Sequence, residues 1–243
     1  MSSRRFLLSS PPTNKRAVLQ GEEAYHLARV LRAEPGRAVE LINGSGKIWR
    51  GTVASVSPDE VELAEVELLS SGTVSPLPIG LIQSLCKADR LEWILQKSTE
   101  LGISEIFLLE AERSIVKVPK ERVAAKLDRW RKIIQAAVKQ SRRSTMPELH
   151  EPQALLPLCQ KVQADLRLVL SENEQDVHLK TLLRELRPRS AAFCIGPEGG
   201  WTEREQETFE RFGFRLATLG PNILRTETAS IVATAILRYE MED

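Results

Sequence analysis

The chain of 243 residues is poor in cysteine, histidine and aromatics, and it has no long apolar run. Its three cysteines, Cys86, Cys159 and Cys194, lie far apart, form no CxxC pair and sit in apolar segments. That pattern excludes a disulfide scaffold and predicts reduced core thiols in a reducing cytoplasm. The three histidines, His26, His150 and His178, share no ligand spacing with one another or with the cysteines, so no metal site is expected. No stretch approaches the length of a membrane span, and Phe6-Leu7-Leu8 is too short to be the apolar region of a signal peptide. Aromatics make up 5% of the chain, which argues against a sheet face that stacks on many nucleobases. GxSxG, GxGxxG and HExxH are absent, so the chain lacks the signatures of a hydrolase elbow, a dinucleotide fingerprint and a zinc protease.

What is present describes a globular chain with a real core, at 42% hydrophobic and 28% charged residues. A net charge of +1 excludes a global basic field, but the distribution is uneven. Residues 1–50 hold nine Lys/Arg against four Asp/Glu, and residues 111–143 hold eleven against three. Two local basic regions fit either a specific polyanion surface or two solvated faces.

Taken in order, residues 1–70 read mostly as β. Strands are expected at Arg5–Leu8, Val39–Ile42, Ile48–Val56 and Val61–Leu69. A short helix over Glu22–Leu31 would put Ala24, Leu27, Ala28 and Leu31 on one face. Asn43-Gly44 and Pro58-Asp59 mark turns. Gly44-Ser45-Gly46-Lys47 resembles part of a phosphate loop but lacks its spacing and lies between strands, so it reads as a hairpin turn. Residues 70–78 are the clearest linker. From Ile79 onward strands and helices alternate, with strands at Ile79–Leu85, Ile106–Leu109, Leu166–Leu170, Ala191–Ile195 and Phe214–Leu219. The intervening helices are expected over Leu91–Leu101, Val123–Val138, Val177–Leu186, Glu203–Phe212 and Glu227–Arg238. Such alternation predicts a mostly parallel sheet covered on both faces.

Two stretches near the C-terminus organise this half. Ile195-Gly196-Pro197-Glu198-Gly199-Gly200-Trp201-Thr202 and Leu219–Ala229 each follow an apolar strand and lead into a helix. Glycine lets a ligand approach the main chain, and proline stiffens the bend. At the strand ends of an α/β sheet such a shelf is a default binding site. The bland alternative is a pair of tight connections without a ligand. Thr202 and Glu205 have capping-box spacing, so a helix starts beside the first shelf. Arg225 and Glu227, alternating with Thr226 and Thr228, are either a helix-end ion pair or a substrate-positioning arginine with its partner or proton acceptor. Glu198 either satisfies local backbone donors or has a chemical role.

Several of these residues match a known family. Phe6 after the arginine pair, Val30-Leu31-Arg32, Lys87-Ala88-Asp89-Arg90, Lys97–Gly102, Gln140-Ser141-Arg142-Arg143 with Pro147, Gly196–Gly200 and Leu219–Ala229 resemble the signatures of the RsmE family. These are uracil-N3-methyltransferases of the small-subunit ribosomal RNA, in the SPOUT superfamily. Order and spacing agree over nearly the whole length, with Trp201, Arg142 and Asn222 as departures from the usual residues. The resemblance implies an α/β fold with a trefoil-knotted parallel sheet and helices on both faces (73–243), preceded by a small PUA-like β-barrel that helps hold RNA (1–72). It implies S-adenosylmethionine as methyl donor, held by Leu170, Ser171 and Glu172, by Ile195, Gly196, Pro197, Gly199 and Gly200, and by Leu219, Gly220, Asn222, Ile223, Leu224, Thr228 and Ala229. It further implies a cytoplasmic homodimer acting on 16S rRNA in the small ribosomal subunit, with no membrane and no metal. Arg225 is expected to orient the base or stabilise its developing negative oxygen, with Glu227 or Glu198 as proton acceptor. Arg4, Arg5, Arg29, Arg32, Arg142 and Arg143 are the expected RNA contacts. The alternatives are a SPOUT enzyme acting on another RNA or atom, and a non-catalytic RNA-binding assembly factor on the same fold.

Overall fold

The computed structural model describes residues 5–57, 59–71 and 77–242, so Arg4, Pro58 and most of the expected linker lie outside the described residues. The chain forms two compact units, one within Met1–Val74 together with Val138–Met146, the other within Ser75–Ala137 and Pro147–Asp243.

The first unit contains β1 (Arg5–Leu7), β2 (Ala17–Gln20), α1 (Gly21–Tyr25), β3 (Ala38–Ile42), β4 (Lys47–Val56) and β5 (Glu60–Ser71). These strands pair in the order β1-β3-β4-β5-β2. β2 is an addition to the sequence reading: four residues with alternating burial, between a proline-rich break and a glycine, are too short to stand out by periodicity. The expected helix is split. After α1 the turn at His26–Val30 is π-helical, with the Leu31 amide donating to the His26 carbonyl at 3.0 Å. Ala24 and Leu27 are buried as expected, and Ala28 and Leu31 pack against the same core, which Phe6, Leu41, Val61 and Leu63 fill. The Gly44-Ser45-Gly46 stretch is a strand connection, as its spacing implied. It also receives a distant segment, since Gly46 N donates to the Ser144 carbonyl and Met146 N to the Gly44 carbonyl, each at 3.0 Å. Lys139 pairs with Glu23, and the Arg5 guanidinium donates to the Arg142 carbonyl. These bonds draw residues 138–146 into the first unit, which no single cut near residue 72 describes.

The second unit contains β6 (Ile79–Ser84), α2 (Ala88–Glu100), β7 (Glu105–Leu109), α3 (Lys120–Gln140, whose last turn belongs to the first unit), β8 (Glu148–Leu149), α4 (Leu155–Lys161), β9 (Leu166–Leu170), α5 (Leu179–Leu186), β10 (Ala191–Ile195), α6 (Glu203–Arg211), β11 (Arg215–Ala217) and α7 (Thr226–Met241). Its six strands are all parallel, in the order β11-β9-β10-β6-β7-β8. β10 is buried at every position and β9 at all but one, as expected of strands covered on both faces. The short β8 and α4 were not legible in the sequence, because two and seven residues are too few to establish a period. The expected capping box is present: Glu205 N donates to Thr202 Oγ1 at 3.2 Å, and Thr202 N donates to Glu205 Oε2 at 2.9 Å.

Cys86, Cys159 and Cys194 are free and buried, as their apolar settings predicted. Burial pushes the Cys86 thiol up to about 12, with the Glu227 carboxylate adding to the shift, and burial also pushes Cys159 to about 12. Only about one thiol in ten thousand is then thiolate at pH 8 at either site, so iodoacetamide at that pH should label the native protein negligibly and the urea-unfolded protein at three positions. A raised thiol pKa also sets a sign. The folded state keeps its protons where the unfolded state loses them, so these groups reduce stability as pH rises from the ordinary thiol range toward 12.

Candidate active site

Register brings the site together. Ile195 at the end of β10 is level with Gln83 of β6 on one side and Leu170 of β9 on the other, and Leu170 is level with Ala217 of β11. The loops after β9, β10 and β11 therefore leave the same edge of the sheet. They enclose a cavity of about 430 Å³, within the range of small-molecule sites.

Each wall has a local cause. In the loop after β10, Trp201 is buried, donates from Nε1 to the Leu170 carbonyl at 3.3 Å, and meets Phe209 edge-on at 5.0 Å. Its indole lies so close behind Gly196 that a β-carbon there would approach it to 3.0 Å. The Arg113 guanidinium donates to the Gly199 carbonyl at 2.9 Å and fixes the far side of the loop. After β11, Thr218 Oγ1 both accepts from the Gly220 amide at 3.2 Å and donates to the Gly220 carbonyl at 3.1 Å. Gly220 has a φ of +134°, a region closed to other L-residues, and a β-carbon there would meet nothing within 4 Å. The main chain at Gly220 is thus left bare toward open space at the cavity wall.

A buried polar network holds the start of α7 against the sheet. Gln83, fully buried in β6, donates to Thr226 Oγ1 at 3.1 Å and accepts from Ser230 Oγ at 2.5 Å. Thr226 Oγ1 in turn donates to the Gly196 carbonyl at 3.4 Å, so Gln83 and Thr226 together link β6, the start of α7 and the loop after β10. Replacing Gln83 by leucine preserves volume but strands two buried hydroxyls from this partner. Gln83→Leu should cost about 1–3 kcal/mol in urea unfolding, with an unchanged denaturant slope.

Most of the residues expected at the cofactor site do line the cavity: Leu170, Ser171 and Glu172; Ile195, Gly196, Pro197 and Gly200; and Leu219, Gly220, Asn222, Ile223, Leu224 and Ala229. Gly199 and Thr228 do not. Gly199 is turned against Arg113, and Thr228 is exposed on α7, about 100° around the helix from Ala229. Arg225 and Glu198 line the cavity, whereas Glu227 is outside its lining. Pro221, inside the expected Leu219–Leu224 wall, also lines the cavity, and Arg90, Asn173, Trp201, Thr218 and Thr226 join the wall without having been singled out for it. Arg90 comes from the first turn of α2, and its guanidinium is paired with Glu198 and lies 3.9 Å from Glu227 Oε2.

Of the expected RNA contacts, Arg29, Arg32 and Arg142 are exposed and Arg143 is half-buried, with Nη2 donating to Thr145 Oγ1 at 3.3 Å. Arg5 is paired within its unit: its Nε lies 3.0 Å from Glu40 Oε2 and its side chain is 14% exposed. Arg4 lies outside the described residues. All the described members of this set belong to the first unit, because residues 138–146 fold with it.

The fold and the site together define a two-part RNA methyltransferase: family models described as the RNA methyltransferase domain and the RNA methyltransferase PUA domain match residues 73–238 and 19–66. Among curated proteins, the Ribosomal RNA small subunit methyltransferase E of Bacillus subtilis is 31% identical over 230 residues, covering 92% of this chain and 90% of its own. Two solved structures agree along 98% of both chains at 32% identity. One is a Ribosomal RNA small subunit methyltransferase E from Neisseria gonorrhoeae bound to S-adenosylmethionine (TM-score 0.87), the other a putative methyltransferase from Legionella pneumophila in complex with the same cofactor (TM-score 0.86). The chain belongs to the ribosomal RNA small subunit methyltransferase E family.

Proposed function

We propose that this protein transfers a methyl group from S-adenosylmethionine to N3 of a uridine in the 16S rRNA of the small ribosomal subunit. The observation that carries the reading is the cavity at the ends of β9, β10 and β11. It has the volume and the mixed lining that a nucleoside-bearing cofactor needs, with apolar Leu170, Ile195, Leu219, Leu224 and Ala229, acceptors on Ser171, Glu172 and Asn173, and bare backbone at Gly220. Bound there, S-adenosylmethionine supplies an electrophilic methyl group on a sulfonium. The work left to the chain is to hold the uracil in line with that group and to allow N3 to lose a weakly acidic proton. N3 is on the pairing edge, so the base must be unpaired or flipped out to reach the cavity.

Arg225, exposed at the mouth and lining the cavity, orients the base or stabilises its developing negative oxygen. Of the two candidate proton acceptors, Glu198 lines the cavity and Glu227 does not, which favours Glu198. Arg29, Arg32, Arg142 and Arg143 on the first unit supply phosphate contacts, with shape rather than base stacking doing the reading. The same reading includes a trefoil knot, a cytoplasmic homodimer and the assembled small subunit as substrate. The knot is supported by the path of residues 218–225, which return beside the loops after β9 and β10 before α7 packs on β6 and β10. Among the described residues no helix is long and apolar enough to cross a membrane.

The test is nucleoside mass spectrometry of small-subunit RNA from cells lacking the gene, before and after treating their subunits with purified protein and S-adenosylmethionine. The reading requires 3-methyluridine to be absent before and present after. Donor binding by calorimetry without any new nucleoside would leave the methyltransferase class standing and refute the substrate.

A further inference from the structure

Arg90 occupies a position that local helix energetics do not favour. It sits in the first turn of α2, where the helix dipole disfavours a cation. What holds it is tertiary: Nη1 pairs with Glu198 in the loop after β10, and Nε faces Glu227 Oε2 in the first turn of α7 at 3.9 Å. The two carboxylates differ. Glu198 lines the cavity and its side chain is 44% exposed, so it can move away. The Glu227 side chain is 18% exposed, and its Oε2 is buried with no hydrogen-bond partner, so Arg90 is the cation it answers to. Asp89 and the Cys86 thiol share this neighbourhood, and Arg225 stands on the cavity wall with Arg90. A guanidinium is thus faced from behind by a carboxylate whose nearer oxygen is buried and capped in front by a more exposed one, at the wall of the cavity.

We propose that Arg90 is a second catalytic guanidinium of this site, which exchanges Glu198 for an oxygen of the incoming uracil and stabilises the negative charge that appears there. This rests on the uridine-N3 reading above. Glu227 is a positioning residue that fixes Arg90 throughout. The exchange also frees the Glu198 carboxylate from Arg90, so that its oxygen is available to take a proton. The N3–H bond breaks and the proton passes to the Glu198 carboxylate, the nitrogen electron pair forms the bond to the methyl carbon, and the carbon–sulfur bond breaks with its pair staying on sulfur. The products are 3-methyluridine, a neutral thioether and a protonated Glu198, which water deprotonates.

The test compares wild type, Arg90→Ala and Arg90→Lys in single-turnover methylation of small subunits that lack the modification, with product read by mass spectrometry and donor affinity by calorimetry. Subunits built with 5-fluorouridine form the second substrate, because fluorine acidifies N3–H and lessens the need for an external cation. Arg90→Ala should slow transfer about a hundredfold on ordinary subunits, in line with the loss of one charge-stabilising donor. Donor affinity should stay within about threefold. Arg90→Lys should recover about tenfold, and the alanine defect should shrink about tenfold on fluorinated subunits, as expected when substrate acidity replaces catalyst charge. A defect of equal size on both substrates, or loss of donor binding, would overturn the proposal while leaving the functional reading intact. No product from wild type would overturn the functional reading and this proposal with it.

Discussion

Arg225→Ala should lower methyl transfer about 10²–10³-fold while donor affinity stays within about threefold. The reason is where Arg225 stands. It is the residue before the first turn of α7, makes no side-chain capping bond, and is exposed while lining the cavity. Among the described residues its guanidinium has no ion-pair or hydrogen-bond partner that its loss would strand. Thermal stability should therefore change within about 0.5 kcal/mol, the range for exposed sites free of such features. Single-turnover rates and calorimetry on the same preparation separate the outcomes. Equal loss of donor binding would move Arg225 into the cofactor site and remove it from the chemistry.

The second large effect is expected at Gly220. Gly220→Val introduces a branched side chain at a φ of +134°, where nothing within 4 Å would obstruct the β-carbon itself. The cost is therefore backbone strain of about 1–3 kcal/mol, a loss of about 2–12 °C in melting temperature for a chain of this size. The added methyl groups occupy open space at the cavity wall, and the bare peptide at Gly220 is no longer approachable. Donor affinity should fall at least about a hundredfold, equivalent to about 2.7 kcal/mol. A valine variant that folds and binds the donor normally would show that the cavity after β11 is not the donor site.

Much of this site is legible in the sequence, because its signals are local. The capping pair Thr202 and Glu205 specifies a helix start from two residues three apart, and the structure has both reciprocal bonds. The Gly-Pro turns after β10 and β11 are punctuation that backbone sterics impose within a few residues. The apolar runs of β6, β9 and β10 announce strands buried on both faces. Arg90 is a different case. The run Lys87-Ala88-Asp89-Arg90 stands out only as one that resembles a family signature, and no local pattern pairs Arg90 with Glu198, 108 positions away. Arg5 is another such case: its cluster with Arg4 reads as a basic arm, and its pairing with Glu40, 35 residues on, is not visible in the sequence.

The sequence by itself therefore determined the alternation of strands and helices, the parallel class of the sheet, the buried thiols and the two glycine-proline loops, since periodicity and turn chemistry act over a few residues. Only the tertiary structure decided which side chains share the cavity. The register of β10 against β6 and β9 sets three loops at one level. The phase of α7 turns Ala229 inward and leaves Thr228 exposed. Long-range hydrogen bonds carry Arg142 and Arg143 into the first unit. Each of these is a matter of pairing or rotation between distant segments, fixed by contacts that neither segment encodes alone.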